Sequence, residues 1–271
     1  MSIYFLMIIV VFLVLVFYKA NRNTSKVAVN SITVTRTNLH ISKKQLRILH
    51  LSDLHLENIS VTPAELFRRI SDQPVDLIAL TGDFLDRKRT IPKLIPYLEV
   101  LKSLNPRYGI YAVFGNHDYV LKEKYFNQLK ETLEQYGCKT MQNEHCTIEL
   151  NGEKLNIIGI DDFSTKRSDI AKAYHGLPDG YHLVITHDPN IVLNMKDYHY
   201  DYLLSGHFHG GQIHWPKPYH LVKMGKLVRM NMVKGLHYHD GKPFYISEGL
   251  GQTAVNIRIG SRPEITFHEI G

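Results

Sequence analysis

"LRILHLSDLH", residues 46–55, is apolar for most of its length and then turns polar at Ser52, Asp53 and His55. The same layout recurs in "VDLIALTGD" (75–83), "GIYAVFGNHD" (109–118), "LNIIGIDD" (155–162), "HLVITHD" (182–188) and "YLLSGHFH" (202–209). Short runs rich in Val, Ile and Leu, bounded by Gly and Asp, read as strands buried on both faces. Amphipathic stretches lie between several of them. Thr62-Pro63-Ala64-Glu65 reads as a capping box with Pro at the first helical position, followed by Leu66, Phe67 and Ile70 on one face. Residues 120 to 136 carry apolar groups at helical spacing, and Gly137 is a natural stop. Strands alternate with helices, and the C-terminal third is richer in strand. The expectation is a layered α/β domain whose polar residues gather at one end of its strands.

The composition suits a folded chain. Its 271 residues are 44% hydrophobic and 21% charged, enough for one large domain with a sizeable core. The net charge of +6 favours anionic partners in a general way. Cys138 and Cys146 are the only cysteines and lack a CxxC spacing, which argues against a disulfide framework or a thiolate metal site.

The opening "MSIYFLMIIVVFLVLVFY" stands apart, with no charge from Ile3 to Tyr18. As a helix, these residues would cover roughly 27 Å, close to the hydrocarbon thickness of a bilayer. No basic stretch precedes the segment and no small-x-small site follows it, so it reads as an uncleaved anchor over a cleaved signal. Lys19, Arg22 and Lys26 follow the span, which predicts a single-pass protein with its bulk on the cytoplasmic side. The organisation read from the chain is an anchor at 1–20, a tether and edge strand at 21–44, and a catalytic domain at 45–271.

The polar turns form a set: Asp53 and His55, Asp83, Asn116 with His117, His187, then His207 and His209. In a strand, residues i and i+2 face the same side, so Asp53/His55 and His207/His209 could each aim at one centre. Carboxylates and imidazoles without thiolate suit Mn, Fe or Zn. Four imidazoles, two carboxylates and an amide exceed one tetrahedral ion and suit two divalent metal ions bridged by a carboxylate. Asp83, after Gly82 at a strand end, is the candidate bridge. Ions held about 3.5–4 Å apart make the water between them hydroxide-like near neutral pH.

In order and spacing, "DLH", "GDFLD", "GNHD", "THD" and "GHFHGG" resemble the motif series of the calcineurin-like metallophosphoesterases. The resemblance spans residues 45 to 271. "GGQ" (210–212) and the C-terminal "SEGLG", "IRIG" and "PEI" are similar to the membrane-associated bacterial branch of YaeI- and YkuE-like proteins. This resemblance implies a four-layer αββα sandwich of two mixed β-sheets preceded by the transmembrane helix. It implies Asp53, His55, Asp83 and His209 on one metal, and Asp83, Asn116, His187 and His207 on the other. His117 is then the catalytic histidine that is not a ligand, stabilising the transition state or protonating the leaving oxygen. Phe208 departs from the small polar residue usual between the two histidines and should point away from the metals.

Other acids carry open readings. Asp86 either sits near the site or caps a turn. Asp118 either fixes His117 or caps, and Asp161 and Asp162 either orient a histidine or only shape their turn. The segment 213–243 mixes Trp215 and three methionines with six cations. That suits an amphiphilic anionic substrate or a membrane surface, and equally a hairpin with ordinary surface charges. Relatives of the branch include enzymes that cleave the diphosphate of UDP-2,3-diacylglucosamine, which makes a lipid-linked phosphate the leading substrate class by analogy. The alternatives are a general phosphodiesterase or phosphatase of nucleotides, and a metal-binding scaffold without activity. No nucleic-acid recognition module is visible.

Overall fold

Why do the apolar runs of this chain lack polar alternation? The computed structural model, which describes residues 3–34, 46–150 and 152–271, shows that each lies in a sheet covered on both sides. Helix α1 (Ile3–Asn23) leads into β1 (Ala28–Val34). Then follow β2 (Leu46–Leu51), α2 (Pro63–Ile70), β3 (Leu77–Thr81), α3 (Ile91–Ser103), β4 (Ile110–Val113), α4 (Glu123–Gln135), β5 (Cys138–Thr140) and β6 (Glu144–Leu150). The rest comprises β7 (Glu153–Gly159), α5 (Ile170–Tyr174), β8 (Tyr181–Ile185), β9 (Tyr202–Ser205), α6 (Lys226–Arg229), β10 (Gly235–His239), β11 (Lys242–Ile246) and β12 (Glu264–Ile270). Positions 35–44 of the predicted tether lie outside the described residues.

The strands form two six-stranded sheets, β1-β12-β2-β3-β4-β5 and β10-β11-β9-β8-β7-β6. Both are mixed. In the first, β2 to β5 run parallel while β12 is antiparallel to β2. In the second, β7, β8, β9 and β11 run parallel between antiparallel edges. Successive residues of each strand serve different layers. Leu77 and Ala79 join Leu183 and Ile185 between the sheets, while Ile78 and Leu80 pack outward with residues of α2, α3 and α4. On the far side, Val184 and Leu203 pack with Ala173 of α5 and Leu227 of α6. This is the expected αββα stack.

The local signals explain the helix ends. Thr62 Oγ1 accepts from the backbone N–H of Glu65 at 3.1 Å, a cap that stabilises α2 by about 1 kcal/mol. Leu66 and Ile70 are buried, but Phe67 is exposed, so the apolar face of α2 is narrower than its sequence suggests. After α4 the chain leaves the helix at Gly137, whose φ is +89°. Both cysteines are free, Cys138 buried and Cys146 half-buried. Helix α1 is long and apolar enough to cross a membrane, and 6% of its most apolar stretch is buried against the body.

Candidate metal centre

Parallel strands point their C-terminal ends the same way, so the turns after β2, β3, β4, β8 and β9 come together at one edge of the sandwich. There the eight residues singled out from sequence converge, though not through strand alternation. Asp53 (φ 50°), His55 (φ 39°), Asp83 (φ 55°), His207 (φ 75°) and His209 (φ 50°) all have left-handed backbones. This region is unfavourable for residues with a Cβ and clusters at functional sites. Beyond each strand the chain therefore coils back, and it is these turns that aim the side chains inward. The neighbouring glycines make room. A Cβ at Gly206 would lie 1.9 Å from Ser52 Oγ and 2.2 Å from Asp53 Oδ2. Gly82, at φ +84°, lies against the backbone of Gly115.

Three groups of potential ligand atoms result: Asp53, His55 and His209; Asp83, His187 and His207; and His55, Asp83 and His117. His207 and His209 thus fall in different groups. His209 Nε2 is 3.1 Å from His55 Nε2 and 3.3 Å from Asp53 Oδ1. His207 Nδ1 is 3.0 Å from His187 Nε2. Asp83 Oδ2 stands between the two groups, 3.5 Å from His55 Nε2 and 3.2 Å from His187 Nε2. Asn116, beside Asp83 in the cleft wall, presents a buried Oδ1 with no hydrogen-bond partner among the described residues, and His209 Nδ1 is likewise unpartnered among them.

The electrostatics call for positive charge here. His187 Nδ1 lies 2.7 Å from the Thr81 carbonyl and must donate to it. A neutral His187 would then face the Asp83 carboxylate and His207 Nδ1 with a lone pair. Burial alone would lower its pKa, but Asp83 outweighs burial and raises it well above the usual imidazole range. Burial likewise opposes the protonation of His55, and hydrogen bonds to Asp83 and Asp86 bring it up to about 10. In Asp83 the opposing effect of burial is overcome by His187 and His55, which hold its carboxyl well below the ordinary range. His207 and His209 are pushed down, mainly by burial. Buried His55 and His187 that attract protons this strongly, with neutral His207 and His209 and an orphaned amide oxygen beside them, suit cations that displace those protons.

His117 differs from the others. Its side chain is 31% exposed, and Nδ1 lies 3.0 Å from Asp86 Oδ1, which leaves Nε2 free. Asp86 also reaches His55 Nδ1 at 3.3 Å. Burial lowers the His117 pKa, and the Asp86 hydrogen bond reverses this into a rise. Asp86 therefore sits at the site, with its carboxylate shared by two imidazoles. The Asp118 carboxylate is engaged elsewhere than at the His117 ring. It accepts backbone N–H groups from Asp83 (2.9 Å), Phe84 (2.8 Å), Leu85 (3.3 Å) and Gly115 (2.9 Å), clamping the loop that carries Asp83. Asp162 accepts from Ser164 and shapes its own turn, whereas Asp161 accepts from Tyr119 and Gln142 and so ties its turn to the one that follows His117; neither acid is hydrogen-bonded to a histidine among the described residues. Phe208 is fully buried beside the His207 ring and packs into the outer core of the second sheet.

One residue appears in the sequence only as part of "IRIG", with no role attached. Arg258 is fully buried, and its guanidinium donates to the carbonyls of His209, Glu248, Arg262, Gly249 and Gly251. The loop after β11 packs on two of the candidate ligands: a Cβ on Gly249 would lie 2.7 Å from Asp53 Cβ, and one on Gly251 would lie 3.0 Å from His55 Cβ.

The family model for the calcineurin-like phosphoesterases matches residues 46–211, more than half of the chain and all eight site positions. This chain is a calcineurin-like phosphoesterase. The uncharacterized metallophosphoesterase YkoQ of Bacillus subtilis (strain 168) is 71% identical over 253 residues, covering 93% of this chain and 94% of the relative. The phosphodiesterase YaeI of Escherichia coli (strain K12) is 28% identical, over 83% of this chain and 82% of its own. The UDP-2,3-diacylglucosamine pyrophosphatase LpxG of Chlamydia trachomatis is also 28% identical, over 87% of this chain and 88% of its own. The phosphoesterase is therefore a hydrolase, and its converging side chains have the make-up of a binuclear divalent-metal centre.

Proposed function

We propose that this phosphoesterase is anchored in the membrane by α1 and hydrolyses a phosphate ester or diphosphate with two divalent cations, Mn, Zn or Fe. Asp53, His55, Asp83 and His209 hold one cation, and Asp83, Asn116, His187 and His207 hold the other. The observation that carries this reading is Asp83 Oδ2, which lies within 3.5 Å of an imidazole nitrogen from each group. When bound, the cations supply Lewis-acid activation of the phosphate and of the attacking water. The chain's own residues do the rest. His117, steadied through Nδ1 by Asp86, turns its free Nε2 to the cleft of about 370 Å³ and delivers a proton to the leaving oxygen. Asp118 and Arg258 hold the ligand loops in place. Phe208 backs the His207 ring.

A lipid-linked phosphate or diphosphate is the substrate class we favour, with the active face on the cytoplasmic side. It is supported by α1 and by the name of the LpxG relative. The test uses full-length protein in detergent, loaded with Mn, against a phosphomonoester, a phosphodiester, a cyclic nucleotide and UDP-2,3-diacylglucosamine. Cleavage of the lipid-linked substrate at a kcat/KM at least tenfold above the soluble esters is expected. A preference for the cyclic nucleotide would replace the substrate class, and inactivity on all four would sink the hydrolase mechanism drawn here.

A further inference from the structure

The anchor helix does not simply hang from the body. Its end is tied down: Ala20 O accepts from Arg258 N–H at 2.9 Å, and Asn21 Nδ2 and Asn23 Nδ2 donate to the carbonyls of Asn256 and Arg258. An apolar groove between helix and body is walled by Leu13, Val14, Val16 and Phe17 on one side and by Ile257 and Ile259 on the other. Leu13 lies roughly 10 Å along the helix axis from Ala20. A helix that crosses a bilayer therefore carries Ile257 and Ile259 down to the boundary between headgroups and acyl chains.

The neighbouring segment lies at the same level. Ile213 pairs with Ile259 in an isolated β-bridge, and His214 N–H donates to Ile259 O at 2.7 Å. Next come Trp215, 76% exposed, and Tyr219, 65% exposed. Outside α1, the large hydrophobic side chains exposed among the described residues are concentrated here. Ile213, Trp215, Tyr219, Val222 and Met230 fall within residues 213–230 and Val255 lines the same cleft as Ile213, against Val29, Phe67, Val120 and Tyr238 elsewhere. Ile213 and Val255 also line the mouth of the metal cleft. Lys217, Lys223, Lys226 and Arg229 are exposed in the same stretch, and none makes an ion pair among the described residues. Exposed Trp and Tyr beside unpaired cations suit the headgroup region of a bilayer that carries anionic lipid.

We propose that residues 213–222, together with Val255, are a second membrane contact. It seats Trp215 among the headgroups and holds the mouth of the metal cleft against an anionic lipid surface. The contact rests on the anchored reading of α1 given above. It means that substrate enters sideways from the lipid plane, between Ile213 and Val255, with its phosphate leading.

Trp215 is the only tryptophan in the chain, so its emission reports this loop alone. Full-length protein is reconstituted into phosphatidylcholine vesicles with and without phosphatidylglycerol, floated, and probed with lipids brominated near the headgroup and with aqueous acrylamide. At least twofold quenching by the bromolipids is expected, greater with phosphatidylglycerol than without, together with shielding from acrylamide. Floated protein whose Trp215 responds to acrylamide and not to bromolipid would overturn the second contact while leaving the anchor standing. Protein that does not float overturns both. Equal quenching with and without phosphatidylglycerol removes the cations from the proposal.

Discussion

Asp86→Asn separates positioning from ligation. Asp86 Oδ1 lies 3.0 Å from His117 Nδ1 and 3.3 Å from His55 Nδ1. Asparagine keeps an acceptor oxygen, so the tautomer of His117 survives, but the negative charge is lost. A hydrogen bond to a charged group exceeds a neutral one by about 1 kcal/mol, and the side chain's 35% exposure argues against a larger figure. That difference corresponds to a roughly fivefold fall in kcat at saturating metal, and it lowers the His117 pKa. Because His117 acts protonated, the alkaline limb of the kcat profile should move to lower pH. Through His55, the same substitution should weaken metal binding by roughly 10- to 100-fold. The assay is hydrolysis of bis-p-nitrophenyl phosphate by full-length protein across pH and Mn concentration, with His117→Ala and the double variant beside it. Asp86→Asn should cost nothing further in kcat once His117 is gone. An undiminished fivefold loss on the His117→Ala background would refute the route through His117.

Asp83→Asn should deplete both cations, because Asp83 stands between both groups of ligands; a variant retaining two metals per chain by mass spectrometry would contradict the bridge. His117→Ala should lower turnover at least a hundredfold while two metals remain bound, and loss of a metal would make His117 a ligand. Arg258→Lys keeps the charge but cannot donate to five carbonyls, so it should lower stability by about 3 kcal/mol and weaken metal binding together, read by denaturant titration and Mn titration. The buried pair His50 and His268 stays neutral in the fold; burial takes His50 down to about 3 and His268 well below its usual value. The unfolded chain binds those protons below pH ~6.5, so stability should fall as pH drops from there toward 3, by up to ~2.7 kcal/mol per pH unit for the two. His268→Gln should halve that slope in denaturation of the metal-loaded protein, and an unchanged slope would remove His268 from the account.

The strands and the identity of the converging residues were legible because burial on both faces and the acid and imidazole chemistry each leave a mark in sequence. How the residues converge was not. Strand alternation suggested that Asp53 and His55 face one way, whereas both lie beyond β2 in left-handed turns, and Gly82 and Gly206 only hint at such coiling. Two of the four acids left open, Asp86 and Asp118, could not be sorted for the same reason. Which carboxylate reaches His117 depends on the path of the loop, and Asp118, one residue away, points back to four backbone N–H groups instead. Phe67 sits at the margin of the α2 stripe, where sequence cannot say how far the neighbouring core extends. Arg258 lies 49 positions from His209, and a single arginine in an apolar stretch announces no partner.

Five side chains of the candidate metal centre sit on backbone that residues with a Cβ avoid, at about 1 kcal/mol or more each. Glycine at any of them would relax the chain and delete a ligand, so selection for folding alone would erode this centre one residue at a time. The apolar layers must therefore carry enough surplus stability to tolerate it. A destabilising change far from the cleft should then be felt first as a lost cation, before it is seen as unfolding.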